Sequence, residues 1–430
     1  GSYNVASGGY ALNANTTGGE NTAVGYQSLY SNTTADKNIA VGTGAMYTNT
    51  TGANNVAVGM NALFYNTTAS NNTAIGRAAL QANTTASYNT AVGYNALTAN
   101  TTGGGNTAVG YDALPANTTG TNNTSMGTEA LHDNTSGIAN VAIGQEALSK
   151  NTTANYNTAV GMYALRLNTT GTQNTASGYQ ALYSNTTASY NTASGYHALY
   201  SNTTGYQNTA SGYLALYSNT TGYENIATGN YALYSNTTGD RNTASGYNAL
   251  GANTTGDWST AYGWKALNSS TTAGGNAAFG GRALYANTTG DGNSACGYWA
   301  LRYNTTGSYN TGCGSHAGYT ITTGDYNTCL GYDANPSSAT VDGEVVLGNS
   351  SVATLRCNTS TISSLSDARD KVEVEPSPLG IDFLNKLNPV KFLWQSREGN
   401  SKDGTHEIGF IAQELQEVQK ESNTEYLKMV

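Results

Sequence analysis

The stretch Asn89-Thr90-Ala91-Val92-Gly93-Tyr94-Asn95-Ala96-Leu97-Thr98-Ala99-Asn100-Thr101-Thr102-Gly103 decides the fold, because the chain repeats it with a period of 17 residues. Its first glycine recurs at Gly8, Gly25, Gly42 and Gly59 and runs on to Gly331 and Gly348, 21 positions without an insertion or a slip. Globular domains do not keep such a period, since their loops vary in length. A chain that coils on itself and stacks identical rungs must keep it.

The columns of the repeat predict how each coil is built. Two positions before the glycine stands Ala (Ala6, Ala23, Ala40 and on to Ala295, with Ser125 departing), and four after it stands Leu (Leu12 to Leu301, with Met46 departing). The residue preceding that Leu is Ala, except at Ser28. Columns of constant small size imply a narrow interior. Thr-Ala-Val-Gly-Tyr alternates as a strand does, so Ala should face the inside of the coil and Val and Tyr the outside.

The column just before the glycine drifts in blocks: Val or Ile over 24–160 with Met126 departing, Ser or Thr over 177–245, then Tyr262, Phe279, Cys296, Cys313, Leu330 and Leu347. A narrow interior would not tolerate that drift, so this column is assigned to contacts between chains. The predicted fold is all-β, a parallel β-solenoid or β-roll of 21 rungs over residues 1–348. At ~4.8 Å per rung it would be roughly 100 Å long.

Asn-Thr-Thr follows the glycine by seven residues and reads as the turn closing each coil, with stacked Asn side chains bonding rung to rung. The triplet is also an N-glycosylation acceptor, present 16 times with Asn134-Thr135-Ser136 as a variant, but rungs ~4.8 Å apart leave no room for a glycan on each. Its two Thr are adjacent and should point oppositely, unlike the alternate Thr of an ice-binding face. Tyr26, Tyr94, Tyr111, Tyr179, Tyr196 and Tyr213 form a column that could stack on sugars, or pack along the shaft.

Composition agrees with a fibre and excludes other classes. The 430 residues include 52 Gly, 32 Tyr and 5 Pro, with 10% charged residues and a thinly spread net charge of −9. No basic face exists for a nucleic acid partner. No apolar run reaches the length of a membrane span, so membrane insertion is not expected. Cys296, Cys313, Cys329 and Cys357 form no CxxC pair, and no column of acids, bases or histidines recurs, so no metal, no cofactor and no trans-acting enzyme is expected. Cys296 and Cys313 share a column on adjacent rungs, where a disulfide is geometrically conceivable, and are read as two small buried thiols. Each coil offers about four apolar side chains, most of them Ala, which barely offsets the ordering entropy of 17 residues. A shaft with so thin a core should therefore associate with further chains.

The register ends at Gly348. A Ser/Thr-rich linker, 349–365, leads into residues 366–430, which hold 20 of the chain's 43 charged residues. Periodicity there predicts a short amphipathic helix over 380–387, strands over 389–394 and 407–412, and a helix beginning at Gln413.

Two resemblances follow from these motifs. In its Asn-Thr-Ala-Val-Gly core the shaft resembles the head repeats of trimeric autotransporter adhesins and repeats of phage and large-virus tail fibres, which implies a trimer of left-handed β-rolls. The adhesin repeats usually have a shorter period. Ser366-Asp367-Ala368-Arg369-Asp370-Lys371, then Leu387-Asn388-Pro389-Val390, then Gly409-Phe410-Ile411-Ala412-Gln413-Glu414 closely resemble the intramolecular chaperone auto-processing domain of phage tail fibres, tailspikes and endosialidases. That family trimerises a β-rich fibre and then cuts itself off. The resemblance implies Ser366 as nucleophile, Lys371 as general base and Leu365–Ser366 as the scissile bond. Ser366 Oγ would attack the Leu365 carbonyl and pass its proton to Lys371. The C–N bond would break as the amine is protonated, and water would hydrolyse the resulting ester. Arg369 is a cation placed to lower the Lys371 pKa. Family members continue into long C-terminal helices, so the domain is expected to be truncated here and the chain to be a fragment at both ends. The implied partner is the chain itself, as a homotrimer, with a cell-surface receptor or glycan possible. The implied location is a virion tail fibre or an extracellular surface. The alternative is a bacterial surface adhesin binding host glycans through its repeats.

Overall fold

In the computed structural model of the chain, the described residues are 1–354, 356, 383, 385–393 and 406–421. They fall into two units, Gly1–Thr354 and Leu355–Val430.

The first unit is a parallel β-solenoid. Each coil contributes one strand of three residues, from β1 (Val5–Ser7) and β2 (Thr22–Val24) through β6 (Thr90–Val92) to β21 (Val345–Leu347). Every strand pairs in parallel with the next at a shift of 17, as in Thr22↔Ile39, Ala23↔Ala40 and Val24↔Val41. The strands are shorter than the sequence alternation suggests, because the glycine ends them. Gly25 has φ +129°, and a Cβ on it would come within 2.7 Å of the Gly42 carbonyl. Only glycine fits that approach, which is why the column never varies. Beyond it the chain turns through residues with left-handed backbone, for example Gln27 (φ 57°), Leu29 (φ 50°) and Lys37 (φ 59°).

The interior of a coil is small and half polar. Ala91, Ala96 and Leu97 are fully buried, and so are Asn89 and Asn100. The Ala and Leu columns therefore lie inside, as their constant size requires, and the Asn-Thr-Thr asparagine lies inside with them. Its role is a ladder: Asn100 Nδ2 donates to Asn83 Oδ1 of the preceding coil (3.0 Å) and to Gly103 O of its own turn (2.9 Å). An asparagine so engaged cannot carry a glycan without breaking the stack. The second asparagine, four residues before the glycine, forms another ladder that the sequence reading did not assign. Asn106 accepts through Oδ1 from the Asn123 backbone N–H (2.9 Å) and donates through Nδ2 to Gly120 O (2.8 Å). Asn117 Nδ2 reaches the same Gly120 carbonyl at 3.0 Å, so one turn carbonyl ties both ladders together.

One coil departs from this scheme in both asparagine columns. Ser259 and Ser270 stand in the two asparagine columns of the same rung, and both are buried. Ser270 Oγ and Asn253 Oδ1 are left without a hydrogen-bond partner.

In the second unit, β22 (Val390–Leu393) pairs antiparallel with β23 (His406–Gly409), and α1 (Ala412–Glu421) follows at once. These elements occupy the places that periodicity assigns to two strands and a helix. Of the expected helix over 380–387 only Phe383 and 385–387 are described; Phe383 is helical and buried.

The ladders predict opposite outcomes for two substitutions. Asn100→Ala removes two buried donors, strands Asn83 Oδ1 and leaves Gly103 O with Asn89 Nδ2 alone, so it should cost about 2–4 kcal/mol. Ser270→Asn should restore the missing rung and gain about 1 kcal/mol. Denaturant unfolding of the two variants beside the parent measures both, and equal midpoints would refute the ladder account.

Candidate functional site

Two surfaces of the shaft stand out, one by what it lacks and one by its rings. The first and third residues of each strand point outward, giving 42 positions along 21 strands. None is Asp, Glu, Lys, Arg, Asn or Gln, although the shaft carries such residues in several turn columns. Val, Ile and Met occupy the third position from Val24 to Val160, Ser or Thr from Ser177 to Ser245, and large apolar side chains again at Tyr262 and Phe279. Several are well exposed, including Ile75 (40%), Met126 (43%) and Phe279 (44%). The column assigned from its drift thus lies on the outer face.

The same geometry corrects the cysteine reading. Cys296 and Cys313 face each other in register on adjacent strands, but both are exposed, because the residue preceding the glycine points outward. Neither is disulfide-bonded. The buried thiol is Cys329, which occupies the inward Ala column, and burial pushes its pKa up to about 11.

The second surface lies on the turns. One and five residues after the glycine, aromatic side chains pile up along the coils. Tyr183, Tyr200, Tyr217 and Tyr234 form one stack, with ring centroids 5.2, 5.3 and 5.5 Å apart and planes within 10°. Tyr179, Tyr196 and Tyr213 form a parallel one at 5.3 Å. His197 sits between them, 4.0 Å from Tyr196, and burial lowers its pKa. Ring spacing here is close to the rung spacing, so each ring covers its neighbour's face. What these rows present to solvent is ring edges and hydroxyls. Cations pack on rings further along: Arg282 lies 4.5 Å from the Trp264 ring and Arg302 3.9 Å from Trp299.

In the second unit the Gly409-Phe410-Ile411-Ala412 motif forms the junction between β23 and α1, and Phe410 and Ile411 are exposed there. They line a small groove with Leu387, Leu415 and Val418. Leu365, Ser366 and Lys371, the scissile position and proposed dyad, lie outside the described residues, as do Arg369 and Cys357. Among the described residues no cluster of His, Cys, Asp and Glu could hold a metal, and no helix is long and apolar enough to cross a membrane.

Compared with protein families, residues 366–424 match the chaperone of endosialidase. No curated protein and no solved structure matches the chain. The chain therefore joins a fibre-like β-solenoid shaft to a chaperone-of-endosialidase segment.

Burial of Cys329 has a direct consequence. In a Cys296→Ser/Cys313→Ser/Cys357→Ser variant, iodoacetamide at pH 8 should leave Cys329 unlabelled in the folded shaft, because both access and thiolate are missing. Labelling should become complete in denaturant. Mass spectrometry of the labelled chain reads the result, and rapid native labelling would place Cys329 outside the core.

Proposed function

We propose that this chain is the shaft of a trimeric tail or surface fibre of a phage or virus. Residues 366–430 act as its assembly chaperone, which cuts the chain once between Leu365 and Ser366. The observation that carries this reading is the match of residues 366–424 to the chaperone of endosialidase, directly behind an unbroken 21-coil shaft. In this reading Ser366 attacks the Leu365 carbonyl, Lys371 takes the proton, and no external substrate is bound. Coupling the cut to folding makes cleavage a report of completed assembly.

The charge-free outer face is the proposed contact between copies. A strip that runs the whole shaft and repeats at every rung is matched in length and period by one partner above all, a second copy of the same strip. Desolvating Val, Ile and Thr methyl groups there supplies the apolar burial that each thin coil lacks. A glycan-binding adhesin is the rival reading. The stacked tyrosine rows speak against binding along the whole shaft, because a sugar ring packs on an aromatic face and those faces are already covered.

Intact mass of the chain beside a Ser366→Ala variant tests the cleavage. The parent should split after Leu365 and the variant should stay whole; two intact chains in a folded oligomer would make residues 366–430 a permanent assembly segment. The contact face has its own check. Val92→Lys with Val109→Lys should drop the sedimentation mass from trimer to monomer, while Asn95→Lys on the turn face should leave it unchanged. A trimer that survives the double substitution removes this face from the interface.

A further inference from the structure

One pair of reactive side chains on the shaft takes no part in the ladders or the aromatic rows. Cys296 ends β18 (Ser294–Cys296) and Cys313 ends β19 (Thr311–Cys313). The two are partners in the parallel register, both are exposed, and both are free thiols. The glycines that follow them fix their spacing. A Cβ on Gly297 would lie 2.4 Å from the Gly314 carbonyl oxygen, so the two backbones have no room to close further.

That spacing selects among the things two thiols can do. On adjacent parallel strands in register, side chains are copies of each other displaced by one rung. Their Cβ atoms, and their sulfurs in like rotamers, are therefore about 4.8 Å apart. A disulfide needs Cβ atoms within about 4.5 Å and sulfurs at about 2.05 Å, so the pair is held too wide for one. A tetrahedral zinc site, with Zn–S of about 2.3 Å, sets its sulfurs about 3.8 Å apart and takes two further ligands. Those ligands are missing: among the described residues no His, Asp or Glu joins the two thiols in a group of three. Cys329, on the next strand, is buried in the inward column and faces away. Two thiolates in line on either side of one ion, at about 2.3 Å each, span about 4.6 Å. The rungs provide that separation, with the Cβ–Sγ bonds projecting outward and the sulfur–ion–sulfur line running along the stack.

We propose that Cys296 and Cys313 form a two-coordinate site for a soft univalent ion of the copper(I) class. Each thiol gives up its proton to water as it binds, so the ion and its two thiolates carry one net negative charge. Thiolate softness selects such an ion over hard, hydrated cations. Phe279 and Leu330, the outward residues of the rungs on either side, bracket the pair with apolar side chains and offer a hard ion no oxygen. The site is complete within one chain and rests neither on the trimer nor on the cleavage.

Anaerobic competition for Cu(I) against bicinchoninate tests it, on the full chain carrying Cys357→Ser. Copper is added to the folded, reduced protein and, in a parallel sample, supplied during expression, so that a closed contact between copies cannot mask the site. One equivalent per chain should be retained, and X-ray absorption at the copper edge should show two sulfur neighbours. Cys296→Ser and Cys313→Ser should each abolish retention. Serine is what this column carries at Ser177, Ser194 and Ser211, so neither variant should disturb the shaft. Cys329→Ala, which restores the usual residue of the inward column, should leave retention unchanged, and Zn(II) should not be retained. The proposal is overturned by no retained copper in either sample, by retention that survives both serine variants or is lost in Cys329→Ala, or by equal retention of Zn(II). Three or more sulfur neighbours, or a Cys296–Cys313 disulfide in protein isolated without reductant, overturns it as well. Sedimentation mass and intact mass, read on the same samples, separate that failure from a failure of the trimer or of the cleavage.

Discussion

Everything in the shaft depends on how closely one coil approaches the next at the period glycine. At Gly42 a Cβ would come within 2.6 Å of the Gly59 carbonyl oxygen, and the backbone φ of +133° is closed to other residues. The close approach ends each strand after three residues and starts the turn at the same point in every coil. A single inserted residue would move a side chain into that contact, so the length of 17 is enforced coil by coil. The Thr-to-Thr backbone bonds of the opposite turn, such as Thr50 N to Thr67 O at 2.9 Å, close the coil on the other side.

The energetic difficulty of such a coil is its small core. Three apolar side chains, two of them Ala, are a weak drive for ordering 17 residues. Leu at φ near 50°, repeated in nearly every coil, adds a backbone cost of about 1 kcal/mol each time. Two asparagine ladders and the backbone pairs between coils offset it. Each buried asparagine amide bonds a neighbouring coil as well as its own turn, so no coil reaches full satisfaction alone. Stability therefore resides in contacts between neighbours, as in other one-dimensional repeats. The Ser259–Ser270 coil breaks that chain of satisfaction at Asn253 Oδ1, and Ile321 breaks it again at Asn304 Oδ1.

The period, the inward Ala and Leu columns and the outward drifting column were legible because each is a constraint on side-chain size at one repeating position. The Asn-Thr-Thr ladder was legible from the amide's capacity to stack. The second ladder was not, although Asn21, Asn38 and Asn55 recur as faithfully, because an asparagine beside a strand reads as an ordinary turn residue. The left-handed Leu was also invisible, since propensity gives no warning that an apolar residue will occupy that region. Cys296 and Cys313 were misplaced by judging them as thiols rather than by their column. The dyad at Ser366 and Lys371 was legible only through motif resemblance, since two residues five apart in a charged segment fit a helix cap equally well.

Near-identical coils also explain why a fibre of this design would need an assembly segment. Strips that repeat every 17 residues can pair one coil out of step and lose only the end contacts, so repetition by itself does not define the alignment of three chains. The block drift of the outer column works against such slips, because it sets Val against Val over 24–160 and Ser against Ser over 177–245. A slip of one coil disturbs only the block boundaries, however, and that is a small penalty beside the whole strip. A nucleus at one end, outside the repeat, fixes the register before the coils zip. The proposed chaperone at 366–430 lies where such a nucleus must lie, and its removal after zipping would cost the shaft nothing that the ladders and the strip have not by then secured.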